Sequence, residues 1–159
     1  MSIRLSCSLR CIIAIQLLLR IIAAPASTEF SSIQWGAYEK NVSGTNTGIG
    51  TGKQNTQAIV SFLRSTGESG RAAQLCASLN FGGFNDWFLP SIDEFSLMYQ
   101  NLHQNGLGGF GDTTYWSSSQ ITSNYALVLH FGWHPNYGSG FQAGSPKSDP
   151  GRVRAIRAF

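Results

Sequence analysis

The sequence predicts an α+β fold. Helical apolar spacing is confined to residues 56–102, and residues 115–159 break into short strands divided by Gly, Asn and Pro turns. Helices first and strands later exclude an alternating βαβ chain. The 159 residues suffice for one domain with one core and not for two.

One early strand precedes the helices: Ser31 to Tyr38 alternates enough to form it. Asn41 to Thr56 is a polar, Gly-rich loop. Thr56 to Ser65 then places Ile59, Phe62 and Leu63 at helical spacing. A second helix carries Ala72, Leu75, Cys76 and Leu79 on one face and ends near Asn80. The third is the clearest. Ser91 stands three residues before Glu94, a capping box in which hydroxyl and carboxylate each take the other's amide. Asp93 and Glu94 also sit at the positive end of the helix dipole and are expected to cap rather than catalyse. Ile92, Phe95, Met98, Tyr99 and Leu102 form its apolar stripe, and Asn105-Gly106 stops it. After a turn-rich link come the strands Tyr115–Gln120, Tyr125–Phe131 and Arg152–Phe159. Two to three helices packed on short antiparallel strands, with a loop-rich C-terminal half, are therefore expected.

The N-terminus reads as a leader. Arg4 and Arg10 precede the apolar run Cys11–Leu19, and Ala24-Pro25-Ala26 supplies small residues for cleavage. The expected organisation is a signal peptide at 1–26, a short linker at 27–34 and a ligand-binding domain at 35–159. An uncleaved anchor is the alternative, although the run falls short of the ~20 residues a membrane span needs. Cys7 and Cys11 lack the small, apolar residues expected before a lipidated cysteine. Cleavage after Ala26 takes 159 residues to 133 (159 minus 26) and removes Arg4, Arg10 and Arg20. Eleven basic residues become eight, against eight acidic ones, so the net charge falls from +3 to zero. The basic balance belongs to the leader, and a nucleic-acid partner loses its electrostatic footing. Cys76 is then the only cysteine, so no disulfide holds the domain and its core must carry the fold. Its place on a helical face predicts an inert buried thiol.

Several motifs invite chemistry and fail. Gly48 to Thr56 resembles a phosphate-binding loop, but Thr47 stands where the first Gly should be and Gln54 where Ser or Thr should be. His130 and His134 have a zinc-like spacing, yet no Cys, Asp or Glu lies within ten residues as a third ligand, so no metal is expected. No Gly-x-Ser-x-Gly elbow supports a hydrolase. Asn41-Val42-Ser43 is a glycosylation sequon, expected to be relevant only in a eukaryotic secretory route.

"IGTGKQNTQAIV", "AAQLC", "GGFNDWFLPSIDEFSLMYQNL", "GLGGF", "YWSSS" and the closing "VRAIRAF" occur in an order that resembles one family. It is the C-terminal domain of Legionella collagen-like adhesins and its relatives in bacterial surface proteins, over Trp35 to Phe159. The resemblance implies a C-type-lectin-like fold of the formylglycine-generating-enzyme type, whose irregular C-terminal half displays ligand-contacting residues. Some members are adhesins for sulfated polysaccharides. Others are targets of diversity-generating retroelements, which vary the C-terminal segment and keep the scaffold. This chain has no collagen repeat, so the trimer of those adhesins is not implied. It lacks the Glu-Pro-Asn and Gln-Pro-Asp triplets of calcium-dependent animal lectins and the cysteine pair of the related oxidases. No cofactor and no enzymatic activity are expected, since fold alone would not license one.

On such a scaffold, Tyr115–Gln142 is expected to divide in two. Tyr115 and Trp116 are assigned to the core, as are Leu127, Leu129 and Phe131 on one strand face. Ala126, Val128 and His130, on the other face, are assigned to display. The candidate ligand-binding residues are Asn124, Tyr125, Val128, His130, Trp133, His134, Asn136, Tyr137 and Gln142. Rings with few rotamers beside adaptable amides make the mixture that antibody loops use; a turn-rich loop with incidental rings is the plainer reading. Arg152, Arg154 and Arg157 are expected to pair with scaffold groups, with sulfate contact the alternative. The function expected is that of an exported, non-enzymatic recognition domain at the bacterial surface, in the periplasm or secreted. Its partner would be a protein or glycan on another cell or matrix. A sulfated-polysaccharide adhesin and a structural envelope module without a ligand remain open.

Overall fold

The computed structural model describes residues 20–159. The charged start and apolar run of the expected leader, with Cys7 and Cys11, lie outside the described residues. The elements are β1 (Ile21–Ala23), a 3-10 turn (Ala26–Thr28), β2 (Phe30–Ile33), α1 (Gly52–Ser65), α2 (Ala72–Ser78) and α3 (Ile92–Asn101). A second 3-10 turn (His103–Asn105) follows, then β3 (Thr114–Gln120), β4 (Tyr125–His130), β5 (Phe141–Pro146), β6 (Gly151–Val153) and β7 (Ile156–Ala158). The fold is α+β, as predicted. A five-stranded sheet has the order β2-β6-β3-β4-β5, with β3 and β6 parallel and the other pairs antiparallel. β1 and β7 form a separate antiparallel ribbon.

The main sheet is covered on both faces, and its alternation deals side chains into two cores. Trp116 and Val128 join Trp35, Ile59, Leu63, Cys76 and Val153 on the side of α1 and α2. Their neighbours Tyr115 and Leu129 join Phe95, Tyr99, Phe131 and Ile156 on the side of α3. Covering both faces overturns one expectation. Ala126 and Val128 were assigned to display, but they are buried in the first core. The alternation was read correctly; a solvent-facing second side was the wrong premise.

The capping box of α3 is present. Ser91 Oγ accepts the Glu94 amide at 3.3 Å, and Glu94 Oε2 accepts the Ser91 amide at 2.8 Å. Glu94 does more: Oε1 accepts the Gly50 amide at 2.9 Å. The glycine-rich loop that resembles a phosphate cradle thus holds a carboxylate of its own chain. Gly52 has no room for a Cβ, which would meet Glu94 and the Ser91 amide. Burial pushes the Glu94 carboxyl up, while these amides pull it down.

The three buried serines of "YWSSS" are all hydrogen-bonded. Ser117 Oγ donates to the Leu127 carbonyl, Asn55 Nδ2 donates to Ser118 Oγ, and Ser119 Oγ donates to the Asn46 carbonyl. They tie β3 to β4, α1 and the Gly-rich loop where polar groups without partners would be costly.

The closing arginines pair with the scaffold, as expected. Arg152 and Arg154 share Glu29, at 2.7 and 2.8 Å, and Arg157 meets Asp86 at 2.8 Å. Arg154 is fully buried and also donates to the carbonyls of Ala24, Gly108 and Gly109. These contacts correct the boundary at the N-terminal side. Residues 27–34, expected to be a linker, hold Glu29 and β2, with Phe30 opposite Val153 and Ile33 opposite Gly151. Ile21–Ala23, inside the expected leader, pairs with β7, and Ala24 is buried. Cys76 is buried and, among the described residues, has no cysteine partner; burial pushes its thiol up. Among the described residues no helix is long and apolar enough to cross a membrane.

Candidate recognition surface

Register builds the centre of the surface. Thr114, His130 and Phe141 stand side by side on β3, β4 and β5. His130 therefore lies flat on Phe141, with ring centroids 4.2 Å apart and planes 7° apart. Its Nδ1 is 2.9 Å from Thr114 Oγ1. Burial, and then the nearby His134, hold the His130 imidazole below its ordinary value. His134 and Tyr137 approach the same Phe141 ring at 5.4 and 5.2 Å and stack on each other at 5.1 Å.

Residues 132–140 are a braced hairpin. His134 and Gly138 exchange two backbone hydrogen bonds of 2.8 Å, and the Gly140 amide donates to the His130 carbonyl at 2.7 Å. Tyr99 Oη, from α3, donates to Ser139 Oγ at 2.8 Å. Gly140 has φ 74°, and a Cβ there would run into the Tyr99 ring. Gly132 likewise lets the chain pass close to the Asp112 carbonyl. Only glycine permits both approaches. The brace leaves Trp133 75% and Tyr137 67% exposed, with Asn136 exposed between them. Large rings held outward by a packed backbone make contact area that needs little ordering on binding.

The nine candidate residues do not form one site. His130, His134 and Tyr137 come together around Phe141, and Trp133 and Asn136 are exposed on the same hairpin. Gln142 is exposed but turns toward α3, where its Nε2 donates to Ser96 Oγ. Asn124 and Tyr125 lie at the other end of β4, about 17 Å away at strand rise, beside the exposed Ile121. Val128 is 2% exposed and so offers almost no surface for contact. Phe141 and Thr114 were missed. Phe141 is followed by Gln-Ala-Gly-Ser-Pro, whose Gly, Ser and Pro read as turn formers, so β5 and the pairing that sets the ring under His130 were not legible. A Pro is tolerated there because β5 is an edge strand. Among the described residues no group of three or more His, Cys, Asp or Glu side chains could share a metal ion.

The two-core α+β scaffold, with three helices and a mixed sheet, is that of a C-type-lectin-like domain. The model of the Lcl C-terminal domain family matches residues 27–157, and the chain belongs to that family. The match begins at Ser27, in keeping with Glu29 and β2 being part of the domain. Among curated proteins, none matches the chain.

Proposed function

We propose that this chain is an exported, non-enzymatic recognition domain whose ligand rests on the cluster of His130, Trp133, His134, Asn136, Tyr137 and Phe141. The observation that carries the reading is the pair of outward rings, Trp133 and Tyr137, on a backbone locked by Tyr99 and Gly140. The cluster holds no carboxylate and no Lys or Arg. Arg152 and Arg157 are engaged by Glu29 and Asp86, so the closing arginines do not add a free cationic track for sulfate groups. A neutral, ring-and-amide surface fits a protein or an uncharged glycan face better than a sulfated chain. A diversified version of this surface would vary Trp133, His134, Asn136 and Tyr137, and keep Val128 and Phe131.

The test starts from a screen of the wild-type protein against a glycan array and a displayed protein library. Trp133→Ala and Tyr137→Ala should lose the selected ligand while remaining folded. Retention of nothing by the wild type would favour the structural envelope module. Salt-sensitive retention on heparin, unaffected by either substitution, would favour the sulfated-polysaccharide adhesin and move the site elsewhere.

A further inference from the structure

The sequon Asn41-Val42-Ser43, read from the sequence alone as relevant only in a eukaryotic secretory route, lies outside the recognition surface, and its surroundings point to another use. We propose that Asn41 is an N-glycosylation acceptor of the bacterial type, modified after export. Glu39 stands two residues before Asn41, so the stretch reads Glu39-Lys40-Asn41-Val42-Ser43. Asn-x-Ser/Thr is the general acceptor pattern. An acidic side chain at that upstream position offers a cationic site on the transferase a group to grip.

The fold presents the sequon. Glu39, Lys40, Asn41 and Ser43 are exposed, while Val42 is buried. The loop is pinned from beneath. The fully buried Lys147 reaches it with Nζ, donating to the Lys40 carbonyl at 2.8 Å and the Ala37 carbonyl at 3.4 Å. Gln120 Oε1 accepts both that ammonium, at 2.7 Å, and the Val42 amide, at 2.9 Å. Glu39 adopts φ 63°, a left-handed turn just before the acceptor. The Asn41 side chain accepts one long hydrogen bond, from Gln120 Nε2 at 3.4 Å, through Oδ1. Among the described residues its amide nitrogen, the atom that would carry the sugar, has no partner. An open groove of about 410 Å³ runs from Asn41 and Ser43 to Ser61, Phe62 and Ser65 of α1, room for the first sugars along the surface.

Placement gives the modification a purpose. Asn41 meets Gln120, at one end of β3, whereas Thr114, at the other end, bonds His130. Seven residues of strand separate those ends by ~20 Å. A glycan on Asn41 would cover the end of the sheet away from the ring cluster and leave the recognition surface open. In the transfer, Asn41 Nδ2 attacks C1 of the first sugar of a lipid-diphosphate-linked oligosaccharide. The N–C1 bond forms and the bond from C1 to the phosphate oxygen breaks. The lipid diphosphate leaves with the electron pair, and the amide proton passes to a base of the transferase.

The proposal rests on export but not on any ligand of the ring cluster. Its test incubates the folded full-length protein with a bacterial oligosaccharyltransferase and lipid-diphosphate-linked oligosaccharide, followed by intact mass and peptide mapping. One glycan on the peptide containing Asn41 is expected. It should be absent from Asn41→Gln and Ser43→Ala, and transfer should slow by about tenfold or more in Glu39→Gln, because a site built for a charged group rejects its neutral analogue. All three side chains are exposed, so each variant should melt as the wild type does. Transfer only after unfolding, or Glu39→Gln modified at the wild-type rate, would overturn the proposal. So would an unmodified Asn41 in protein recovered from the envelope or medium of its own host. None of these results depends on whether Trp133 and Tyr137 bind anything.

Discussion

His130 and Phe131 are neighbours in sequence and belong to different worlds. Phe131 enters a closed cluster of rings, 4.8 Å from Phe110, 4.9 Å from Tyr115 and 5.5 Å from Phe95. His130 points the other way and lies on Phe141, in a second cluster that solvent reaches. Both clusters are aromatic, and both pack edge to face or stacked at similar distances. Ring contacts therefore do not tell scaffold from display. What differs is what stands behind the rings: α3 seals the first cluster, whereas the second caps the sheet edge and carries a hairpin whose outermost rings stay mostly exposed. The same alternation that makes a core makes a surface wherever the covering layer ends.

The largest effect should come from opening the sealed cluster. Phe131→Ala or Trp116→Ala removes a fully buried ring and should cost about 3–5 kcal/mol of stability, read by thermal or denaturant unfolding. An exposed ring should behave oppositely. Trp133→Ala or Tyr137→Ala should weaken capture of the selected ligand by ~2 kcal/mol or more, as aromatic hot spots do, with little change in melting. Next in size is Ser91→Ala. It removes the α3 cap and a 2.9 Å bond to the Gly48 carbonyl, at a cost of ~1 kcal/mol or somewhat more. Ligand capture should survive it, which separates scaffold strength from surface chemistry. The smallest effect is a pH dependence. His130 is held below its ordinary value of 6.5, so on acidification the unfolded chain takes up that proton first. Stability should decline as pH falls through that value and level off below the folded one. The ring is only half-buried, so solvent limits the loss to under about 1 kcal/mol. His130→Gln should flatten the curve near that pH, and an equal slope in the variant would assign the titration to another group.

Local chemistry in this fold was readable from residues, and long-range chemistry was not. Ser91 and Glu94 declare their helix because a capping box is complete within four residues. Cys76 and Phe131 declare their burial through spacing. Nothing near Glu29 says that it will neutralise Arg152 and Arg154, more than 120 residues away. Nothing near Lys147 says that its ammonium will sit 4.7 Å from the Trp35 ring beneath the 37–42 loop. Val128 was misread for the same reason: its alternation is local, but the core that buries it is built from other parts of the chain. In the candidate surface, the loop rings Trp133 and Tyr137 were legible from their glycine-rich setting. Phe141 was not, because β5 forms by pairing with β4 and its Gly, Ser and Pro read as a turn. Asn124 and Tyr125 share the polar, aromatic composition of the surface, but strand length carries them to its far end.

The most direct measurement pairs thermal melts with ligand capture across Trp133→Ala, Tyr137→Ala, Trp116→Ala and Phe131→Ala. The two exposed-ring variants should melt within ~2 °C of the wild type and lose the ligand, while the two core variants should melt ~10 °C or more below it. Trp133→Ala and Tyr137→Ala melting as low as Trp116→Ala, or keeping full ligand capture while folded, would contradict the assignment of the hairpin rings to recognition.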